Sequence, residues 1–93
     1  MFKQVKYYAV ENTRKKSLMK AYRRIAKSCE CMGQFGKAIS NAKRALELAF
    51  YLNDIKAELK VYDFLGKQYY NLNDMDKACY FHNRMMGNIK EEN

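Results

Sequence analysis

The side chains best suited to chemistry in this sequence are three cysteines and the single histidine: Cys29, Cys31, Cys79 and His82. Three thiolates and one imidazole are a sufficient ligand set for a structural zinc ion. Cys29 and Cys31 are only two residues apart, however, and on an α-helix that spacing turns two side chains about 200° away from each other. We therefore predict no metal ion and no cofactor. We expect the cysteines to be small packing residues and His82 to lie packed or on the surface.

Catalytic machinery is not indicated either. The histidine has no nucleophile and carboxylate arranged around it in a recognisable motif, and no glycine-rich phosphate-binding loop occurs. The acidic residues are scattered over polar helix faces. We predict no catalytic residue, no small-molecule substrate and no enzymatic activity.

The net charge indicates which kinds of partner the protein could bind. The 18 Lys and Arg residues outnumber the 10 Asp and Glu residues, which gives a net charge of +8. A basic surface attracts acidic protein segments, nucleic acid or an anionic membrane surface, and charge alone does not choose among them. No stretch approaches the ~18 apolar residues that a membrane span requires, so no membrane span is expected.

Cysteine usage and the first residues indicate an intracellular protein. An odd number of cysteines, two of them too close for an unstrained mutual disulfide, does not fit a secreted disulfide framework. Lysines interrupt the only apolar stretch within Met1 to Val10, unlike a signal peptide. We expect the protein in the cytosol or the nucleus.

Helices must position these residues, because the chain has no Pro and only 4 Gly, and because apolar residues recur at helical spacing. We predict one region over residues 1–93. Residues 1–12 are expected to end a preceding helix, and residues 13–52 and 53–93 each to form a helical hairpin. The predicted helices run from a cap at Asn12 or Thr13 to Cys31, from Phe35 to Tyr51, from a cap at Asn53 or Asp54 to Tyr70, and from a cap at Asp74 towards Ile89.

The two hairpins are similar to each other when the sequence is shifted by forty residues. A repeat period of this size is typical of arrays of helical hairpins. The equivalent identical residues are Lys20/Lys60, Tyr22/Tyr62, Lys27/Lys67, Lys37/Lys77, Ala38/Ala78 and Arg44/Arg84, with Ile25/Leu65 and Ala26/Gly66 as conservative pairs. We infer a duplicated unit.

The second unit resembles a tetratricopeptide repeat at the spacings that define that family. It has an aromatic residue at Tyr62, the pair Leu65-Gly66, a second aromatic at Tyr69 and a small residue at Ala78. We expect Gly66 and Ala78 to face each other where two helices cross, and any larger residue to push those helices apart. The predicted repeat-packing residues are Tyr22, Ala26, Ala38, Tyr62, Leu65, Gly66, Tyr69 and Ala78.

The resemblance is incomplete in its details. Neither unit has the family's terminal Pro, Cys29 stands where an aromatic is expected, and Met85 replaces a small residue. The forty-residue period exceeds the usual length, and residues 80–83 follow Ala78 much as in the longer repeats of the Pins/LGN and rapsyn class. A HEAT or armadillo-like array, with a period of about 40 to 47 residues, is the main alternative. The Leu-Gly-x-x-Tyr to Ala spacing favours the tetratricopeptide interpretation.

The resemblance implies an all-α fold of tandem antiparallel helical hairpins that form a short right-handed superhelical solenoid. It also implies a non-catalytic scaffold for protein binding, in which the first helix of each hairpin lines the concave face. That face would be basic with an aromatic floor, and so suited to an acidic peptide or helix. The implied partner-binding residues are Lys20, Arg23, Arg24, Lys27, Lys60, Phe64, Lys67, Tyr70 and Asn71.

Two alternatives to peptide binding stay open for the basic surface. The first is an ordinary solvated lysine-rich face. The second is a surface that follows the phosphate backbone of a nucleic acid along residues 13–16 and 20–27, with Tyr22 nearby. No motif that binds a nucleic-acid groove accompanies these residues.

Two and a half repeats are fewer than a solenoid usually needs, so residues 2–10 and 80–86 are expected to expose apolar faces. We expect further repeats, a second copy or another subunit to cover them within a larger assembly. By analogy, a basic repeat protein would suit a cytoplasmic, cytoskeletal complex, because tubulin surfaces are acidic.

Overall fold

The computed structural model describes the backbone of residues 2–92 and the side chains of residues 9–87. Over that range the chain forms four α-helices and no strand. Their bounds are α1 Phe2–Cys31, α2 Phe35–Tyr51, α3 Ile55–Asn71 and α4 Met75–Glu92. The prediction of an all-α fold is confirmed.

Helix α1 is longer than the sequence pattern indicated. It continues through Thr13, whose hydroxyl donates a hydrogen bond to the carbonyl of Ala9 at 2.9 Å. The predicted cap at Asn12 or Thr13 is therefore wrong. Thr13 is accommodated inside the helix because its hydroxyl bonds to the carbonyl one turn back, and no Gly or Pro interrupts residues 2–32. The division of the chain into residues 1–12, 13–52 and 53–93 stays a prediction.

Three short turns join the helices, and all three have the same backbone geometry. The middle residue of each turn is left-handed, and the N–H of the following residue donates to a carbonyl five positions back, as in a Schellman motif. Gly and Asn are the residues that adopt this conformation most readily. The middle residues are Gly33 (φ 75°), Asn53 (φ 53°) and Asn73 (φ 62°), and the bonds run from Gln34 to Cys29 (2.8 Å), Asp54 to Ala49 (3.0 Å) and Asp74 to Tyr69 (2.9 Å).

Side-chain caps begin the two helices of the second hairpin. The Oδ1 atom of Asp54 accepts a hydrogen bond from the backbone N–H of Ala57 at 3.1 Å, and Oδ1 of Asp74 accepts one from Lys77 at 3.3 Å. Each bond satisfies an N–H group that has no partner within the helix. The caps predicted at Asp54 and Asp74 are confirmed.

Helix α2 lies inside the molecule, because it packs against α1 on one side and against α3 on the other. Helix α4 packs on α3. Small side chains let the neighbouring helices approach α2 closely. The buried residues of α2 are Ala38, Ile39, Ala42, Ala45 and Ala49.

The repeat-packing residues occupy the interior to different degrees. Gly66 faces Ala78 as predicted, but a Cβ atom on Gly66 would lie 3.5 Å from the Ala78 carbonyl oxygen, which is an ordinary contact. The expectation that any larger residue would push the helices apart is therefore wrong, because alanine fits. Ala26, Ala38, Tyr62, Leu65 and Tyr69 are buried, whereas Tyr22, Gly66 and Ala78 are partly buried.

None of the helices in the described part of the chain is long and apolar enough to cross a membrane.

Candidate protein-interaction groove

An open groove of about 620 Å³ runs between α1 and α3; we call it the α1/α3 groove. The two helices lie side by side because both pack on α2. Ala42 of α2, which is almost fully buried, lines its bottom. The interior helix therefore sets the spacing between the two walls.

Seven of the nine residues predicted to bind a partner line this groove. On each helix they are three or four residues apart or adjacent to such a position, which places them on one helix face. Helix α1 contributes Lys20, Arg23, Arg24 and Lys27, and helix α3 contributes Lys60, Phe64 and Lys67. Phe64 is partly buried and packs against the hydrophobic core, so it supplies a fixed apolar surface among the cations.

Two carboxylates also line the α1/α3 groove, and both have partners. Glu30 accepts a hydrogen bond from Nε2 of Gln68, and Oδ2 of Asp63 lies 3.2 Å from Nζ of Lys67. The other five cations of the groove form no salt bridge with a carboxylate among the described residues. The groove therefore keeps an excess of positive charge.

Tyr70 and Asn71 lie elsewhere. They line a second groove, of about 590 Å³, between α3 and α4; we call it the α3/α4 groove. Tyr70 is exposed there, and Lys67 lines both grooves. Tyr70 and Asn71 are therefore separated from most of the basic residues that were predicted to bind the same partner.

Gln68 is a residue that sequence reasoning missed. Its side chain is fully buried, donates to Glu30 of α1, and leaves its own Oε1 without a hydrogen-bond partner among the described residues. The available signal was its position, because Gln68 falls three residues after Leu65 on the apolar stripe of α3. A polar residue on a buried stripe indicates a contact with another polar group.

Each hairpin has one Tyr–Arg pair that connects its two helices, and the two pairs are equivalent. The guanidinium of Arg44 lies 5.8 Å from the centre of the Tyr22 ring, and that of Arg84 lies 5.6 Å from the Tyr62 ring. Arg84 also donates a hydrogen bond to the Tyr62 hydroxyl at 3.3 Å. Since the members of each pair are forty residues from their counterparts, the structure reproduces the internal repeat seen in the sequence.

The cysteines and the histidine do not form a cluster. Cys29 is buried, whereas Cys31, Cys79 and His82 are exposed. Among the described residues, no group of three or more His, Cys, Asp or Glu residues could hold a metal ion.

Comparison of the chain with protein-family models, with curated proteins and with solved structures finds no match.

Proposed function

We propose that this chain is a non-catalytic protein-interaction scaffold of the tetratricopeptide-repeat type, and that its α1/α3 groove binds an acidic peptide or the acidic face of a helix. The observation that carries the proposal is the excess of positive charge around Phe64 in this groove. Guanidinium groups such as those of Arg23 and Arg24 form forked hydrogen bonds with carboxylates. An aromatic anchor beside them adds apolar contact area.

The proposed architecture is a short right-handed superhelical solenoid in which α1 and α3 line the concave side. The equivalent turns at Gly33 and Asn73 and the two equivalent Tyr–Arg pairs support it, because a duplicated hairpin places the same contacts at the same positions. We also propose that the protein works within a larger cytoplasmic assembly, such as a cytoskeletal complex. The net charge of +8 suits an acidic surface on such a partner.

Charge reversal in the groove tests this function. We expect the double variant Arg23→Glu, Arg24→Glu to bind a fluorescent oligo-glutamate peptide at least about a hundredfold more weakly, because it loses two charge-assisted hydrogen bonds that are each worth about 1.5–3 kcal/mol. Fluorescence anisotropy measures the affinity. Far-ultraviolet circular dichroism checks that helicity is unchanged.

The matched control is the double variant Lys37→Glu, Lys56→Glu, which changes the net charge equally at exposed positions outside the α1/α3 groove. We expect it to weaken binding much less. Equal losses in the two double variants would mean that only net charge matters, and the groove would not be the site. Tighter binding of an equally charged single-stranded DNA at the same salt concentration would favour the nucleic-acid alternative.

A further inference from the structure

The forty-residue equivalence allows each residue of one unit to be compared with its counterpart in the other. Five buried residues of α3 have exposed counterparts in α1. Leu65, for example, is 0% exposed, whereas its counterpart Ile25 is 47% exposed. The cause is that the preceding helix, α2, packs on α3, whereas no preceding helix packs on α1 among the described residues. The pairs are Ala57/Ser17, Glu58/Leu18, Val61/Ala21, Leu65/Ile25 and Gln68/Ser28.

The other end of the molecule has the opposite asymmetry. Five buried residues of the first hairpin, against which α3 packs, have partly buried or exposed counterparts in the second hairpin. Ile39 is 7% exposed, for example, while its counterpart Cys79 is exposed. The pairs are Ala26/Gly66, Ala38/Ala78, Ile39/Cys79, Ala42/His82 and Ala45/Met85.

The two uncovered surfaces are thus the two halves of an interface that this chain already forms internally. We call the first the α1 strip (Ser17, Leu18, Ala21, Ile25 and Ser28) and the second the open face (Gly66, Ala78, Cys79, His82 and Met85). Four members of the open face line the α3/α4 groove. Neither set contains a Lys, Arg, Asp or Glu, although such residues are 30% of the chain. Three charged residues also line the α3/α4 groove, but Glu30 accepts a hydrogen bond from Gln68 and Asp63 is paired with Lys67. Both surfaces are therefore suited to burial.

We propose that a second copy of this chain inserts its α1 strip into the α3/α4 groove, in the way that α3 packs against the first hairpin. The internal interface supplies the register for this contact. Where Glu30 accepts a hydrogen bond from Gln68 within one chain, the equivalent positions across the contact are Tyr70 of one copy and Ser28 of the next. Two hydroxyl-bearing side chains would meet there.

This contact is heterologous, because it joins two different surfaces of identical chains. Each copy that adds its α1 strip to one neighbour still presents its own open face to another. Such contacts produce open-ended chains or closed rings of subunits instead of simple dimers. The α1 strip shares only Ser28 with the lining of the α1/α3 groove, and the open face shares none of its residues with it. The inference therefore does not depend on the proposed function.

Salt separates the two proposals experimentally. Copies that each carry a net charge of +8 repel one another, and salt screens that repulsion. Added salt should therefore strengthen self-association between the α1 strip and the open face. It should weaken the binding of an acidic peptide in the α1/α3 groove, where the charges attract.

The experiment is sedimentation equilibrium over about two decades of protein concentration, because association through such contacts depends on concentration. We expect the wild-type chain to form species larger than dimers. The variants Ile25→Lys, in the α1 strip, and Cys79→Lys, on the open face, should each associate at least about tenfold more weakly, because each places an unpaired charge in an apolar contact.

Mixing the two variants gives a stricter test. Ile25→Lys keeps an intact open face and Cys79→Lys keeps an intact α1 strip, so an equimolar mixture should form a one-to-one dimer and nothing larger. The matched control is Phe50→Lys, since Phe50 is 46% exposed and its counterpart in the second unit is already Lys90. That control should assemble like the wild type. A wild-type chain that stays monomeric throughout, or a variant mixture that stays monomeric, overturns the inference. Variants that associate as the wild type does also overturn it.

Discussion

The two hairpins share their turns and their Tyr–Arg pairs but fill the space between their helices differently. In the first hairpin, alanines of α2 occupy the contact. In the second, Phe81 of α4 stacks on Tyr69 with ring centres 5.5 Å apart and on Tyr62 at 6.2 Å. The counterpart of Phe81 in α2 is Asn41.

The difference follows from the number of neighbours. Helix α2 lies between α1 and α3, so an aromatic ring such as that of Phe81 on either side would push a helix away. Helix α4 packs mainly on α3, so an aromatic ring can lie across that contact and remain partly exposed. Equivalent positions in a repeat thus carry different residues because their surroundings differ.

The largest effect is expected when Leu65 and its counterpart Ile25 are each truncated. Leu65→Ala should destabilise the protein by about 2–5 kcal/mol, because it leaves a cavity in the core. Ile25→Ala removes a similar side chain from the exposed counterpart and should cost less than about 1 kcal/mol. Urea unfolding, at concentrations low enough to avoid self-association, measures both. Equal losses would show that the two positions are not in different environments.

Overpacking the interior helix should have the next largest effect. Ala42→Leu inserts a branched side chain between α1 and α3 and should cost about 1–3 kcal/mol. His82→Leu introduces a leucine at the exposed counterpart of Ala42 in α4. It should change the free energy of unfolding by no more than about 0.5 kcal/mol. Thermal unfolding of both variants checks this. A tolerated leucine at position 42 would contradict the close packing described for α2.

Gly66→Ala should stabilise the protein, in contrast to what the sequence alone indicated. The added Cβ makes only ordinary contacts, the shortest being 3.5 Å to the Ala78 carbonyl oxygen. Gly in a helix costs about 0.5–1 kcal/mol relative to Ala. The counterpart, Ala26, already has this side chain, so the variant makes the two units more alike. A lower midpoint in urea unfolding would instead mean that α3 and α4 approach more closely than this.

The smallest effect expected is on the pH dependence of stability. Burial raises the pKa of Glu58 above its usual value of 4.5; Arg84 nearby opposes the rise and Asp54 adds to it. Because the folded state holds this proton more tightly than the unfolded state, stability is highest below the unfolded pKa and falls as pH rises through the folded one. Glu58→Gln removes that fall.

The variant should therefore be more stable than the wild type near neutral pH, and the difference should vanish below the usual pKa of a glutamate. Urea unfolding at several pH values between about 4 and 7.5 measures it. The counterpart of Glu58 is Leu18, which cannot titrate, so Leu18→Met serves as a control without pH dependence. A constant difference at every pH would exclude titration of Glu58 as the cause.

Much of the candidate site could be predicted because helical periodicity separates core from surface, and because the tetratricopeptide-repeat resemblance implies that the first helices of the two hairpins share a face. The basic residues at positions 20, 23, 24, 27, 60 and 67 all line the α1/α3 groove. Tyr70 and Asn71 were misplaced because periodicity shows which residues point away from the core, but not which other helix lies alongside them. Gln68 was missed because its partner, Glu30, is 38 residues away in the sequence.

The sequence by itself determined the helices and their turns, apart from the start of α1. Those depend on local causes: the spacing of apolar residues, the left-handed tendency of Gly33, Asn53 and Asn73, and the caps at Asp54 and Asp74. Only the tertiary structure decided which faces are covered. Leu65 and Ile25 are similar residues at equivalent positions, and one is buried while the other is exposed. Burial depends on which helix packs alongside, and a local sequence pattern does not contain that information.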